Sequence, residues 1–228
     1  MPRHENISMS VIRRLPRYYR FLYHLKEKGV TRISSTELSQ KLGLTASQIR
    51  QDLNCFGGFG QQGYGYIVSQ LCDEIGRILG LSSGYKSILF GAGNLGRAIA
   101  NHMSFKSEGF QLISIFDRDP KKIGSQIGGV TVRSLTEVED FCRRESPVMA
   151  VFCVPPDSAE SLSQVLYKLG IRNFWNFSHY DIALQYPDAI VENVHLNDSL
   201  MTLCYRISNP SSEKTSSRNK ERSKEDSK

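Results

Sequence analysis

The sequence predicts an α/β protein in two parts, a small winged helix-turn-helix domain followed by a doubly wound parallel sheet of Rossmann type. Three observations predict it. First, Gly91, Gly93 and Gly96 form a G-x-G-x-x-G spacing that follows directly on a short apolar run, Ser87–Phe90, and leads into a helical segment. Second, strand and helix patterns alternate from there onward. Third, a helix, a short helix, a Gly-containing turn and another helix fall within about forty residues near the N-terminus, the pattern of a helix-turn-helix. The expected domains are residues 1–81, 82–208 and a polar tail, 209–228, that contains no apolar residue and is expected to be disordered.

The N-terminal elements follow from spacing and capping. Leu15, Tyr18, Tyr19, Leu22 and Leu25 recur at helical intervals within Val11–Lys28, with Arg17, Arg20 and Lys26 interspersed. Pro16 suits the first turn of that helix, and Gly29 ends it. Ser34 or Ser35 caps a second helix, with Glu37 placed to complete a capping box with Ser34. Gly43 breaks the chain, and Thr45 caps a third helix that ends near Asn54. Ile49 and Leu53 face inward on it, leaving Ser47, Gln48, Arg50 and Gln51 on the outer side. Arg reads guanine, Gln reads adenine and Ser reads either, so this face is a candidate for duplex DNA. The segment Phe56–Tyr66 interleaves glycines with aromatics and predicts a hairpin, a wing on which Phe59, Gln62 and Tyr64 are candidate DNA contacts. Arg14 and Arg17, on the first helix, are candidate phosphate contacts. A helix over Ile67–Leu81 closes this part, and Gly80 with Ser82–Gly84 marks the boundary.

In the second part, the strand Ser87–Phe90 enters the loop Gly91-Ala92-Gly93-Asn94-Leu95-Gly96. Gly91 permits the turn, Gly93 lets the backbone approach a pyrophosphate, and Gly96 lets strand and helix pack closely. The following helix then points its free N–H groups at the phosphates. A second strand, Phe110–Phe116, ends in Asp117, where a dinucleotide fold places an acid that accepts both ribose hydroxyls of adenosine. Such an acid repels a 2′-phosphate, so NAD(H) is favoured over NADP(H). Asp117 also stands in the turn-like stretch DRDPKKIG, and Arg118 beside it is a group that could accommodate that phosphate. A third strand is expected at Gly129–Val132, then a helix at Leu135–Arg144 and a buried strand at Pro147–Val154. Val154 and Pro155, where that strand yields to the helix Ser158–Leu169, join the candidate cofactor residues. Strands at Ile171–Phe177 and Ala189–Val194 follow. A final amphipathic helix, Asn197–Ile207, lines up Leu200, Leu203, Cys204 and Ile207.

Composition narrows the function. The chain has 228 residues, 39% of them hydrophobic, and a net charge of +6. Ten Lys and Arg face four acids in residues 1–60, thirteen face fifteen in 61–210, and six face four in 211–228. The positive field therefore belongs to the N-terminal part, as expected of a polyanion-binding module. The longest apolar run, Val148–Val154, is far too short to span a bilayer, and the start MPRHENISMS carries no apolar signal core. Cys55, Cys72, Cys142, Cys153 and Cys204 are scattered and never in C-x-x-C spacing, which predicts buried reduced thiols in a cytoplasmic protein, with no metal site.

At this point the chain resembles the redox-sensing repressors called Rex over about 205 residues, through two unrelated motif sets in the family's order and spacing. The segments are RRLPRYYRFL at 13–22, RISSTELSQKLG at 32–43, QIRQDLNCFGGFG at 48–60, GYGYIVSQL at 63–71, ILGL at 78–81, FGAGNLG at 90–96, FDRDPKKIG at 116–124 and VENVHLNDSL at 191–200. The resemblance implies a homodimer with a C-terminal helix swapped onto the partner, and release from an inverted-repeat operator when NADH binds. Gln51, Asn54 and Cys55 replace the Lys, Ser and Tyr usual in the family's recognition helix, and Gln62 stands where the wing is usually basic. His102 stands where Tyr is frequent, His179 where Pro is frequent, and His195 where Asp is usual. In the family the acid at the position of His195 pairs with an Arg at the position of Arg20 or with the Tyr at the position of His102. The resemblance thus makes Arg20, His102 and His195 the switch residues, with an imidazole in place of the carboxylate.

Two other readings compete. An NAD-dependent dehydrogenase needs a general acid or base over the nicotinamide, and His179 is the candidate, although no orienting carboxylate is evident in the sequence. A DNA-binding regulator could instead respond to another nucleotide, such as a coenzyme A.

Overall fold

Local capping chemistry sets the first helices. In the computed structural model, which describes residues 7–57, 60–61, 64–102 and 107–209, α1 spans Met9–Ile12 and α2 Leu15–Glu27, with Pro16 in its first turn. Ser34 accepts from the N–H of Glu37 at 3.1 Å while the Glu37 carboxylate accepts from the N–H of Ser34 at 2.8 Å. That reciprocal capping box starts α3, Ser35–Leu42, which ends at Gly43 in the left-handed conformation. Thr45 accepts from the N–H of Gln48 at 3.1 Å and starts α4, Ala46–Asn54. α5 follows at Val68–Ile78.

Three short strands complete this unit: β1 Arg32–Ile33, β2 Gly60–Gln61 and β3 Gly65–Ile67, ordered β1-β3-β2. β2 and β3 are antiparallel, with Gly60 opposite Tyr66. The sequence suggested that hairpin but gave no sign that Ile33 would be a strand residue. Two residues carry too little periodicity to be seen, and β1 exists because β3 is beside it. Leu15, Tyr18 and Leu22 of α2 bury with Leu38, Ile49, Leu53, Leu71 and Ile75 into one core.

The second unit begins at Tyr85. Its elements are β4 Tyr85–Phe90, α6 Asn94–His102, β5 Phe110–Asp117, β6 Gln126–Ile127, β7 Val130–Ser134, a 3-10 turn at Leu135–Glu137 and α7 Val138–Glu145. β8 Met149–Phe152, α8 Pro156–Lys168, β9 Asn173–Asn176, α9 Ile182–Gln185, β10 Ile190–Asn193 and α10 Leu196–Ser208 follow. Among the described residues the sheet has seven strands in the order β10-β9-β8-β4-β5-β7-β6. β8 runs parallel to β4 and β9, and β7 parallel to β5; the hairpin β6–β7, absent from the sequence reading, is antiparallel. The chain winds outward from β4 through β5 and β7, then returns to β8 on β4's other side. The order reverses between β4 and β8, and ligands of such sheets bind outside the strand C-termini at that point. Phe90 stacks on Phe116 with ring centroids 5.4 Å apart and meets Phe152 edge-on at 5.5 Å, holding the three strands that frame the reversal.

All five cysteines are free, but Cys55 and Cys204 are exposed rather than buried. Cys55 sits at the end of α4, and Cys204 lies on α10, whose whole surface is exposed. Among the described residues no helix is long and apolar enough to cross a membrane.

Candidate nucleotide cleft and nucleic-acid interface

The strand reversal opens a cleft of about 190 Å³ lined by Gly91, Gly93, Phe116, Asp117, Arg118, Lys122, Cys153, Val154, Pro155 and Ser158, among others. The N–H of Gly91 donates to the Phe116 carbonyl at 2.8 Å, and that of Cys153 to the Phe90 carbonyl at 2.9 Å, so three strand ends meet there. The glycines divide by what a side chain would strike. At Gly91, φ is +97° and a methyl group would overlap the Cys153 carbonyl. At Gly96 it would overlap the carbonyl of Gly91. These two are required by the fold itself. At Gly93 a methyl group would meet no protein atom within 4 Å, and it would project into open space. Nothing within the protein asks for glycine at 93, and its backbone is open to the cleft. Asn94 and Leu95 open α6 and are exposed. The first-turn N–H groups of a helix lack intrahelical acceptors and favour an anion.

Asp117 sits at the tip of β5, 7% exposed. Its Oδ2 accepts from the N–H of Ala92 at 2.6 Å and from Lys122 Nζ at 3.2 Å, and its Oδ1 from the N–H of Asp119 at 2.8 Å. Burial works against the charged form, but the N–H groups of Asp119 and Ala92 and the Lys122 ammonium outweigh it and hold the carboxyl below the usual carboxylate range. The geometry corrects two expectations. The Ala92 N–H is committed to Asp117, so it is not free for a pyrophosphate. Asp117 has three of roughly four lone-pair positions filled by protein donors, so one position rather than two stays open on it without rearrangement. The turn reading and the site reading of Asp117 also coincide, because the Asp119 contact is a side-chain turn. Lys122 and Cys153 were not foreseen as lining residues. The two lysines of DRDPKKIG were the available signal for the first, and burial pushes the Cys153 thiol up to about 12, so it lines the cleft as a neutral group.

The N-terminal unit holds the second candidate surface. Ser47, Arg50 and Gln51 are exposed on α4, and Arg50 Nη1 donates to Ser35 Oγ at 3.1 Å. Arg17 and Arg20 are exposed on α2. Tyr64 is 69% exposed at the hairpin, and Arg32 Nη1 donates to its carbonyl at 3.2 Å, a brace the sequence reading missed. Phe59 and Gln62 lie outside the described residues. Arg14 and Gln48 depart from expectation. Arg14 Nε and Nη2 clamp the buried Asp52 carboxylate at 2.6 and 2.7 Å, Tyr18 Oη donates to it at 2.6 Å, and Gln48 Nε2 at 2.9 Å. A carboxylate 1% exposed demands such donors, so Arg14 and Tyr18 tie α4 to α2 through Asp52, while Gln48 donates to it from within α4.

Of the three residues expected to form a switch, Arg20 is exposed on α2, and the His102 side chain lies outside the described residues. His195 caps α10 beside His179, ring centroids 5.3 Å apart, with Nδ1 3.6 Å from Asp198 Oδ2. Nearby, buried Asn176 is fully satisfied, donating to the Tyr180 carbonyl and Asn193 Oδ1 and accepting from Ser178. No group of three or more His, Cys, Asp or Glu among the described residues is placed to hold a metal ion.

Comparisons with known proteins agree with this division. The family described as "Putative DNA-binding protein N-terminus" matches residues 6–54, and the "CoA binding domain" family matches residues 82–180. The redox-sensing transcriptional repressor Rex of Thermoanaerobacter pseudethanolicus is 51% identical over 91% of this chain and 92% of its own. That of Clostridium botulinum strain Eklund 17B is 50% identical over 91% of this chain and 98% of its own. Among solved structures, RSP in complex with β-NAD+ and operator DNA is 50% identical, with TM-score 0.83, covering 94% of this chain and 97% of its own. RSP in complex with β-NADH is 47% identical, with TM-score 0.82, covering 92% and 98%. With half its residues shared with such repressors over nine-tenths of its length, the chain belongs to the Rex family of redox-sensing transcriptional repressors.

Proposed function

We propose that the chain is a homodimeric, cytoplasmic repressor that binds an inverted-repeat operator and releases it when NADH replaces NAD in the cleft. The observation that carries the nucleotide reading is Gly93, a glycine with no protein neighbour to justify it, at the mouth of a cleft with a buried acid at the next strand tip. In this reading the backbone of Gly93, Asn94 and Leu95 faces the pyrophosphate, Asp117 takes an adenosine ribose hydroxyl, and Val154 and Pro155 flank the dinucleotide. Ser47, Arg50 and Gln51 read bases, Arg17 holds phosphate, and Tyr64 reaches the duplex from the wing. In this reading the chain binds the nucleotide as a signal, as a repressor does, and catalyses no hydride transfer.

The test is a titration with NADH, NAD, NADPH and coenzyme A, followed by footprinting on genomic fragments. NADH binding tighter than NADPH, weakened at least tenfold by Asp117→Ala, supports the reading; equal affinity for NADH and NADPH removes the role of the acid. The match of residues 82–180 to a coenzyme A-binding family is the reason for including that nucleotide, and a preference for it would replace NADH as the signal. Footprinting that shows no protected inverted repeat would end the repressor reading.

A further inference from the structure

We propose that Lys122 tunes the nucleotide specificity of the cleft, pairing with Asp117 in the free protein, yielding that position to a hydroxyl of an unmodified adenosine ribose, and turning to a 2′-phosphate when one is present. The inference rests on the dinucleotide reading of the cleft and deepens it. An acid at the tip of the second strand excludes a 2′-phosphate because its charge has no nearby counterpart. Here it has one. Lys122 Nζ lies 3.2 Å from Asp117 Oδ2 and 3.9 Å from Asp119 Oδ2, and its side chain is one-third exposed. Arg118 lines the same cleft. Lys122 thus meets both acids and Arg118 adds a second cation to the lining, so a phosphate brought to the ribose would not face the acids alone.

The freedom of the ammonium decides what it can do. The Ala92 and Asp119 N–H groups hold Asp117 from the backbone and cannot leave it, whereas a lysine is a point charge with three rotatable donors on a flexible stem. When an unmodified ribose arrives, its second hydroxyl can take the position on Asp117 that Lys122 vacates. When a 2′-phosphate arrives, that hydroxyl donor is gone, and the same ammonium becomes the counter-charge for the phosphate. The acid still favours NADH, but Lys122 narrows the margin.

The experiment measures the dissociation constants of NADH and NADPH, by nicotinamide fluorescence, for the full-length protein and for Lys122→Met and Lys122→Arg. Lys122→Met should weaken NADPH at least tenfold and change NADH by less than threefold, while Lys122→Arg keeps the original ratio. Equal loss of both nucleotides in Lys122→Met, or an unchanged ratio, would overturn the proposal, because Lys122 would then only hold Asp117 in place or do nothing. The unmodified protein separates the two levels of inference. If it binds neither nucleotide, the cleft reading itself fails; if it binds NADH and Lys122→Met leaves the ratio unmoved, only the specificity proposal does.

Discussion

Asp52 shows how a single side chain can govern a surface it does not reach. It is buried on the recognition helix and accepts from Arg14, Tyr18 and Gln48. Burial opposes its charge, and those hydrogen bonds outweigh burial and hold its carboxyl below the usual carboxylate range. A depressed carboxyl contributes stability that is present above the unfolded value and lost as pH falls through the folded one. The N-terminal unit should therefore lose stability below about pH 4. Asp52→Asn should flatten that acid limb in denaturation followed by circular dichroism. Arg14→Ala leaves the carboxylate short of its strongest donor and should destabilise the unit by roughly 3 kcal/mol. Retained stability in Arg14→Ala, with a flatter salt dependence of DNA binding, would instead return Arg14 to the phosphate backbone. Arg50, exposed and hydrogen-bonded to Ser35, should behave differently: Arg50→Ala should cost about 1–3 kcal/mol of operator binding and blur one base position, with folding unchanged.

At the scale of the element, the turn from β4 into α6 separates folding from binding within six residues. Gly96→Ala forces a methyl group into the Gly91 carbonyl and should destabilise the second unit by about 3 kcal/mol, read by thermal melting. Gly93→Ala has room for its methyl group in the free protein and should melt as the original does, yet bind NADH at least tenfold more weakly, about 1.4 kcal/mol. If Gly93→Ala binds NADH normally, the pyrophosphate does not approach there. α10 presents the opposite case. Leu196, Leu200, Met201, Leu203, Tyr205 and Ile207 are all exposed, between 49% and 69%. An amphipathic helix with its apolar face uncovered is an incomplete structure.

The whole molecule is proposed to complete it by pairing. Leu200→Glu with Leu203→Glu should halve the mass seen by light scattering and abolish binding to a two-half-site operator, since two-fold symmetry in the protein matches two-fold symmetry in the site. A dimer that persists in this variant would place the interface elsewhere. The redox response is also a property of the whole. His195 has His179 and Asp198 as neighbours, and it puts an imidazole where the family's usual carboxylate would hold an arginine. Operator release by NADH should accordingly be shallow, and His195→Asp with His102→Tyr should sharpen it, read as operator affinity against the NADH/NAD ratio. A steep response in the original protein would assign the signal to other residues.

Much of this was legible in the sequence, for a physical reason: capping boxes, glycine turns and apolar periodicity are written in residues close together along the chain. Ser34 with Glu37, Thr45 with Gln48, and Gly91 with Gly96 were all readable in that way. The fold class, the strand–turn–helix of the cleft and the exposed Ser47, Arg50 and Gln51 followed from them. What only the tertiary structure decided involves partners far apart in sequence. Arg14 and Asp52 are thirty-eight residues apart, and their pairing turned Arg14 onto a buried carboxylate. Asp117 looked like an acid with two free oxygens until Ala92, twenty-five residues before it, was brought within 2.6 Å. β1 and β6 are two residues each, too short for any periodicity, and form only because β3 and β7 supply the other half of their hydrogen bonds. Local sequence fixed which segments are helices and strands; long-range contact decided which polar groups remained free to meet a ligand.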